Sequence, residues 1–299
     1  MFNSIQRFIL TLSVFALFSL FYFIVIFTVN YCISEKISIA QKDILIVGDS
    51  HLRSSLNPLK MNSAINICQN AEPYYLTYLK LKFLLQKNVK PDTLIIGFGH
   101  QNLSNFNDYK LKDKFWNVGI FDKYYLLTKD IVNISNIDID YLKLFIAYSR
   151  NMCLIPRLDH YQNFIGQFEA RKENKIKENY QKRIDLHYFY KDYGISDLCI
   201  SYLDSIIDIS EQNQITPILL GTPVTDQYYQ LIPEEIIERY ALIKAEYSKE
   251  GIRVIDLTRA KYSIDYFYDS DHLNFLGAKK FSEEINFLLS GRYLSKYDI

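Results

Sequence analysis

The stretch ILIVGDSHLRSSLNP, residues 44–58, contains the pattern that decides the fold of this chain. Its first four residues, 44–47, are apolar and have the length of a strand buried on both faces. Gly48, Asp49 and Ser50 follow at once, and a segment compatible with a helix comes next. Ser50 is therefore either part of a plain helix cap or a side chain presented at the end of a strand, where ligands bind in parallel sheets.

Short apolar runs alternate with helical segments along the rest of the chain. The runs of strand length lie at residues 64–67, 93–97, 217–220 and 252–255. The segments with helical spacing lie at residues 74–86, 197–212, 234–249 and 276–289. This alternation predicts an α/β fold, a three-layer sandwich in which helices cover both faces of a parallel sheet of about five strands.

The N-terminal segment has a different composition from the rest of the chain. Residues 8–33 contain no charged side chain and are almost wholly apolar. About 20 such residues suffice to cross the hydrocarbon core of a membrane as a helix. A cleaved signal peptide has a shorter apolar region that ends on small residues, whereas this run ends on Asn-Tyr-Cys. We therefore predict a transmembrane anchor at residues 1–33, followed by a tether at residues 34–42.

The charges that flank this segment do not determine its orientation. Arg7 precedes the apolar run, and Lys36 and Lys42 follow it. We expect a single-pass membrane protein whose globular part, residues 43–299, is extracytoplasmic, in the periplasm or outside the cell.

One connection in the globular part is far longer than usual. About a hundred residues separate the third predicted strand from the helix at 197–212. We assign residues 103–195 to a helical insertion, which includes a charged and helix-compatible run at 169–185. The insertion is either a cap that shapes a substrate groove or a structural addition with a solvated face, and the charged run alone favours the second.

Charge and cysteine content exclude two classes of function. The chain has 34 basic and 34 acidic residues, whereas nucleic-acid-binding proteins usually carry a basic excess, so we expect no nucleic-acid partner. The four cysteines are widely spaced, with no Cys-x-x-Cys pair and no histidine at ligand spacing, which argues against structural zinc. A disulfide between Cys153 and Cys199 is a hypothesis that rests on an oxidising compartment.

A catalytic serine needs a base within hydrogen-bond reach, because its hydroxyl is a weak nucleophile at neutral pH. The candidate bases are His51, His100, His160, His187 and His272. His272 stands out because Asp269 precedes it by three residues and the last predicted helix follows it. The carboxylate can hold one ring nitrogen while the other accepts the serine proton.

A polar turn whose histidine caps the helix fits the fragment equally well. Asp271 is a rival for the orienting role, and we choose Asp269 on spacing.

Together, Gly-Asp-Ser after the first strand and Asp-x-x-His before the last helix resemble the first and last sequence blocks of the SGNH/GDSL hydrolases. That resemblance covers roughly residue 43 to the C-terminus, without the insertion. It implies a flavodoxin-like sheet and the activity of a serine esterase or O-acyltransferase. It also implies Ser50 as the nucleophile, His272 as the base and Asp269 as the residue that orients the base, with no metal and no organic cofactor.

The middle blocks of the chain depart from the family pattern. The family usually supplies oxyanion donors from a glycine after the second strand and an asparagine after the third. This chain has Gln69 or Asn70 in the first place, and Gln101 or Asn102 in the second. We expect the oxyanion hole to consist of the Ser50 backbone N–H together with Gln69 and Asn102. Ordinary loop capping accounts for the same polar residues.

The resemblance implies a membrane-anchored enzyme that acts through an acyl-enzyme. Relatives with one N-terminal span often act on O-acyl groups, such as acetyl esters, of cell-envelope polysaccharides, so we expect an acylated carbohydrate or another ester as the substrate. His100 and Gln101 are the expected substrate contacts, although a loop histidine is commonly just packed. The alternative is a non-catalytic module of the same fold that binds a glycan or a protein, and the missing glycine after the second strand favours it.

Overall fold

The centre of the molecule is a five-stranded sheet. The structure is a computed structural model that describes residues 3–157, 160–172 and 179–290, without the side chains of residues 160–162. All strand pairs are parallel, and the strand order is β2–β1–β3–β4–β5. The strands are β1 (Ile44–Val47), β2 (Ala64–Asn66), β3 (Thr93–Gly97), β4 (Thr216–Gly221) and β5 (Arg253–Asp256). This is the flavodoxin-like order, so the predicted α/β class is confirmed.

Helices cover both faces of the sheet. In the described residues they are α1 (Ser4–Glu35), α2 (Ser50–Ser55), α3 (Tyr74–Gln86), α4 (Lys114–Tyr124), α5 (Thr128–Ile131), α6 (Tyr141–Ser149), α7 (His160–Ile165), α8 (Tyr180–Tyr188), α9 (Asp197–Gln212), α10 (Asp226–Leu231), α11 (Glu234–Lys249) and α12 (Phe275–Leu289). The four helices predicted within the α/β repeat are α3, α9, α11 and α12, and their bounds agree to within one residue. Strand β5 starts one residue later than predicted, because the Ile252 N–H is bonded to the carbonyl of Tyr247 at the end of α11.

Strand β1 shows why these segments form buried strands. Leu45 and Val47 lie in the larger hydrophobic core, which also contains buried residues of α3 and α9. Ile46 points to the opposite face, into a second core with Phe281 and Ile285 of α12. Because successive side chains of a strand alternate between the two faces, a strand between two helix layers must be apolar throughout.

The insertion is bonded to a buried ion pair that lies within the core. Lys80 of α3 donates to Glu72 at 2.6 Å, and both side chains are fully buried. From the insertion, the Tyr124 hydroxyl also bonds to Glu72, and the carbonyl of Ile165 accepts from Lys80 at 3.3 Å. The insertion is thus joined to the α/β core through an inaccessible polar network. Residues 173–178, within the predicted charged run, lie outside the described residues.

The hypothesis of a disulfide between Cys153 and Cys199 is wrong for this structure, in which both are free thiols. Cys199 is fully buried in the larger core on α9. Cys153 lies in the insertion, in a π-helical turn at residues 150–154 that contacts α1.

Helix α1 is capped at its start by Asn3, whose side chain accepts from the Gln6 N–H. Most of its side chains are exposed, and its buried residues are Ile26, Asn30 and Ser34. The helix is long and apolar enough to cross a membrane. An N-terminal signal sequence meets the same two criteria.

Candidate active site

The loop after β1 forms the floor of the site because Gly48 brings two strands close together. Its φ of +145° favours glycine, and a Cβ there would lie 3.3 Å from the Gly97 backbone of β3. Strands β1 and β3 flank the point where the strand order reverses, which is the usual ligand position in this fold. The cap of α2 is Asp49, whose carboxylate accepts from the His51 N–H at 2.9 Å. Ser50 is then the first residue of α2, at the carboxyl edge of the sheet.

Ser50, His272 and Asp269 lie in one hydrogen-bonded row. The Ser50 Oγ is 2.8 Å from His272 Nε2. On the other side of the ring, His272 Nδ1 is 2.9 Å from Asp269 Oδ1, which also accepts the backbone N–H of His272 at 2.8 Å. With the ring proton on Nδ1, Nε2 is free to accept the serine proton. The structure therefore brings the three residues together in the order that a serine nucleophile requires.

Asp271 has a different set of partners. It is fully buried, and it accepts from Arg183 Nε at 3.0 Å and lies 3.1 Å from His51 Nε2. Burial alone would raise the pKa of Asp271, but the charge of the Arg183 guanidinium holds it well below its usual value. Its nearest approach to His272 Nδ1 is 3.3 Å, longer than that of Asp269. The geometry thus favours Asp269 as the orienting carboxylate.

His51 lies directly against His272. The two rings are stacked at 4.5 Å between centroids, with 18° between their planes. His51 Nδ1 is 3.1 Å from Asp49, and its Nε2 faces Asp271. Burial alone would lower the pKa of His51, but the two carboxylates outweigh it and raise the pKa to about 9. A cationic His51 therefore supplies one positive charge between the carboxylates of Asp49 and Asp271, and Arg183 supplies a second at Asp271.

A cavity of about 210 Å³ opens in front of Ser50 and His272. The core contributes Asn70, Ala71 and Gln101 to its lining. The insertion supplies most of the remaining wall, with Phe106, Lys110, Trp116, Arg171, Arg183, Leu186 and His187. Of the two alternatives for the insertion, this lining agrees with a cap over the site.

Two of the expected oxyanion donors are bonded elsewhere. The Gln69 N–H donates to the Gly48 carbonyl at 3.1 Å, and its side-chain amide donates to the Asn163 carbonyl at 2.7 Å. The Asn102 amide donates to Asp49 at 2.9 Å. Neither residue lines the cavity, so the structure does not bring them to Ser50. The Asn102 amide supports the carboxylate that holds His51.

Asn70 and Ala71 take the place in the cavity that was expected of Gln69. Ala71 has a φ of +60°, in the left-handed region that glycine usually occupies. The turn geometry expected of a family glycine is thus adopted by alanine. Asn70 was a visible alternative in the sequence, but no sequence signal marks an alanine for this conformation.

His100 and Gln101 were expected to contact substrate, and the structure separates them. Gln101 lines the cavity, and its amide nitrogen is 3.1 Å from His51 Nδ1. The His100 ring instead packs on Tyr240, with centroids 4.1 Å apart, and burial lowers its pKa to about 4. His100 does not line the cavity.

Lys110 is a buried cation in the cavity wall that the sequence did not reveal. Its Nζ donates to Asn107 at 2.7 Å and lies 4.2 Å from the centre of the Phe106 ring and 5.4 Å from that of Trp116. Burial lowers the pKa of Lys110 to about 8. With Arg171 and Arg183, it gives the insertion side of the cavity a positive charge.

His187 does not act as a base at Ser50. His187 is buried, its Nδ1 lies 2.6 Å from the Tyr228 hydroxyl, and burial and Arg183 hold its pKa well below the usual value. The side chain of His160 lies outside the described residues.

One group in the site has the donor types of a metal centre. Ligand atoms of His51, Asp271 and His272 lie within 4.8 Å of one another. The Arg183 guanidinium already donates to Asp271, so a divalent cation there would meet a fixed positive charge. The donor set therefore fits a hydrogen-bonded charge network better than a metal site.

No family model matches the sequence, and no curated protein matches it. Among solved structures, the chain is similar to a GDSL-like lipase from Bacteroides thetaiotaomicron, at 12% identity and a TM-score of 0.43, over 90% of this chain and 100% of the other. It is also similar to a protein assigned as an acylhydrolase from Bacteroides fragilis, at 12% identity and a TM-score of 0.41, over 83% and 86%. A third is a protein assigned to the lipolytic G-D-S-L family from Desulfitobacterium hafniense, at 10% identity and a TM-score of 0.40, over 82% and 99%. These descriptions name the family that the two sequence motifs resemble. Likeness this distant says nothing about activity, so we base the function on the site.

Proposed function

We propose that this protein is a serine esterase or O-acyltransferase of the SGNH/GDSL type, with Ser50 as the nucleophile. The observation that carries the proposal is the 2.8 Å separation of Ser50 Oγ from His272 Nε2, with Asp269 2.9 Å behind the ring. Nucleophile, base and orienting carboxylate form the arrangement that activates a hydroxyl for acyl transfer.

In the proposed reaction Ser50 Oγ attacks the ester carbonyl while its proton passes to His272 Nε2. The tetrahedral intermediate collapses, the alcohol leaves with that proton, and the acyl group stays on Ser50. Water or an acceptor hydroxyl then loses a proton to His272, attacks the acyl-enzyme and regenerates the serine. Asp269 stabilises the imidazolium that forms in each step.

The oxyanion would be held by backbone N–H groups rather than by the side chains expected from the sequence. Ser50 is the first residue of a helix, and the first N–H groups of a helix lack partners within it. Asn70 and Ala71 lie on the same cavity as Ser50. We assign the hole to the N–H of Ser50 together with an N–H of this turn, which needs no glycine because the donor is backbone.

The cavity suits a small acyl group on a polar alcohol. About 210 Å³ accommodates an acetyl group and part of one sugar ring, and Trp116 and Phe106 offer flat apolar surfaces beside the cations. We therefore propose acetylated or similarly acylated cell-envelope polysaccharide as the substrate class. Helix α1 would anchor the enzyme in the membrane as a single span, with the cavity on the extracytoplasmic side.

The test is a comparison of Ser50→Ala with Ser55→Ala, a buried serine of the same short helix. We expect the purified full chain to hydrolyse small aryl acetates and to react with a fluorophosphonate probe. Ser50→Ala should lose both properties, and Ser55→Ala should keep both. A correctly folded wild-type chain that neither hydrolyses nor reacts would instead support the binding module.

Acyl transfer and hydrolysis are separated by the acceptor. Incubation with an acetyl donor and an unacetylated polysaccharide should yield O-acetylated sugar if a transferase is present, detected by mass spectrometry of the released oligosaccharides. Free acetate at the same rate with and without acceptor indicates a hydrolase.

A further inference from the structure

We infer that the insertion docks on the lipid surface through an apolar stripe next to the membrane helix. The inference rests on the proposed anchoring by α1. The stripe consists of Tyr141, Leu142, Phe145, Ile146, Leu154 and Ile155, whose side chains are between 46% and 70% exposed.

The stripe is one face of an otherwise packed helix. In α6 the opposite face is formed by Leu144 and Ala147, which are 1% and 6% exposed and belong to the larger core. Phe145 and Ile146, which lie between these two residues in the sequence, are 65% and 51% exposed. Single exposed apolar residues are common on the surface of a soluble protein. A contiguous apolar patch is not, and it marks a site of interaction with a partner or a membrane.

Helix α1 is bonded to the end of the stripe. The amide of Asn30 donates to the carbonyls of Asn151, Met152 and Ile155 at 3.0, 3.0 and 2.8 Å. Its oxygen accepts the Arg157 N–H at 2.8 Å, and Asn30 is fully buried. The two amide hydrogens, shared among three carbonyls, and the amide oxygen together fix this part of the insertion to the membrane helix.

A second contact lies nearer the middle of α1. The Tyr22 hydroxyl donates to the Leu154 carbonyl at 2.9 Å. Starting after Arg7, a span of about 20 residues covers the hydrocarbon core and ends near residue 27. Tyr22 lies before that end and Asn30 just beyond it. Leu154 and Ile155, held between these two levels, therefore lie at the boundary between lipid tails and headgroups.

The bilayer is a better occupant of the stripe than a second copy of the chain. The stripe lies beside the surface of α1, whose large apolar side chains from Phe8 to Phe23 are between 40% and 70% exposed and need lipid. An element bonded to α1 at the interface meets lipid at once, without a partner having to be recruited. Apolar residues at this depth bind the interface in proportion to the area they bury.

The experiment places a fluorescent label on single cysteines of the full chain. The background variant replaces Cys32 and Cys153 by serine, since Cys68 and Cys199 are buried. The labelled sites are Phe145→Cys and Leu142→Cys on the stripe, Leu242→Cys on α11, which is 62% exposed, and Phe15→Cys within α1, which is 69% exposed. Each protein is placed at one copy per phosphatidylcholine nanodisc, with and without nitroxide-labelled lipid.

We expect the nitroxide lipid to quench at least half of the fluorescence at positions 145 and 142, and at position 15, but to leave position 242 unchanged. Reaction of each variant with the fluorophosphonate probe reports an intact site, independently of lipid contact. If position 15 is quenched while 145 and 142 behave like 242, the stripe does not touch lipid and the inference fails, although the anchor stands. If position 15 is also unquenched, anchoring by α1 fails with it. If the label at position 145 is shielded from the nitroxide lipid only when a disc holds several copies, the stripe binds a second copy of the chain. That result also overturns the inference.

Discussion

The two loops at the sheet edge and the insertion build the same cavity in different ways. In the loops, short-range geometry places each residue: Ser50 begins a helix after a strand end, and Asp269 meets His272 at i, i+3. The parallel sheet then brings the two loops together, across 222 residues of sequence. The insertion places Arg171 and Arg183 through contacts that span about a hundred residues of sequence. The comparison teaches that each residue of the proposed chemistry carries a local sequence signal, whereas the cations around it carry none and are placed only by the packing of the insertion.

The largest effect is expected when each of the two aspartates beside His272 is replaced separately by asparagine. In Asp269→Asn the neutral amide cannot stabilise the imidazolium, and its NH2 can donate to Nδ1 and so favour the wrong tautomer of His272. We therefore expect turnover to fall by about 10⁴-fold, with the fold intact. Asp271→Asn should retain more activity, because Arg183 and His51 are its main partners. Steady-state kinetics on an aryl acetate, with circular dichroism of both variants, makes the measurement. A greater loss in Asp271→Asn would reverse the assignment of the orienting carboxylate.

The buried ion pair to which the insertion is bonded should contribute strongly to stability. Lys80→Met removes the partner of the fully buried Glu72, and we expect the free energy of unfolding to fall by about 3–5 kcal/mol. The double variant Lys80→Met/Glu72→Gln should recover much of that loss, because no unpaired charge remains. Chemical denaturation in detergent measures both. Equal stability of wild type and Lys80→Met would show that the buried ion pair does not stabilise the fold.

The pH dependence of stability should report His51. Its pKa is raised from 6.5 to about 9 in the folded state, so the folded chain keeps a proton that the unfolded chain loses. The stabilisation is complete below pH 6.5 and is lost as the pH rises to about 9, by about 3 kcal/mol.

His51→Asn should lack this decline. Lys110 acts in the opposite direction, since its lowered pKa makes stability increase above about pH 8, but it is common to both proteins and cancels in their difference. Denaturation curves from pH 6 to 9 give that difference. Parallel curves for the two proteins would show that His51 carries no extra proton in the fold.

The smallest expected effect concerns the arginines of the insertion. Arg183→Met leaves the buried Asp271 with His51 as its cation, and we expect turnover to fall by about tenfold, equivalent to about 1.4 kcal/mol. Arg171→Met is the matched control, since Arg171 lies 3.7 Å from Asp269, beyond hydrogen-bond distance. Steady-state kinetics on one substrate compares the two variants. An unchanged turnover in Arg183→Met would show that this arginine of the insertion does not affect the reaction at Ser50.

Sequence reasoning found the elements that short spacings encode. Alternating apolar runs predicted the five strands and the helices between them, because strands between two helix layers are apolar throughout. The same local signals marked Ser50, Asp269 and His272, which the structure places in one hydrogen-bonded row; their catalytic role stays a prediction.

The parts that the sequence did not give depend on long-range contacts or on backbone conformation. Nothing in the sequence shows that Asn102 would bond to Asp49, or that Ala71 would adopt a left-handed conformation. Arg183 belongs to the run at 169–185, whose charge favoured a solvated surface, yet it packs on Asp271 at the cavity. Lys110 lies elsewhere in the insertion, where no sequence signal marked it, and is buried against Trp116. Side-chain partners across a hundred residues are fixed by packing, not by spacing.

The most direct measurement is to locate the atom that forms the covalent bond. The wild-type chain is treated with a fluorophosphonate, digested, and its peptides are mapped by tandem mass spectrometry. We predict a single phosphonylated residue, Ser50, in the peptide that also contains His51. Modification of a different serine, or an unmodified chain whose circular dichroism shows the native fold, would contradict the assignment of Ser50 as an activated nucleophile.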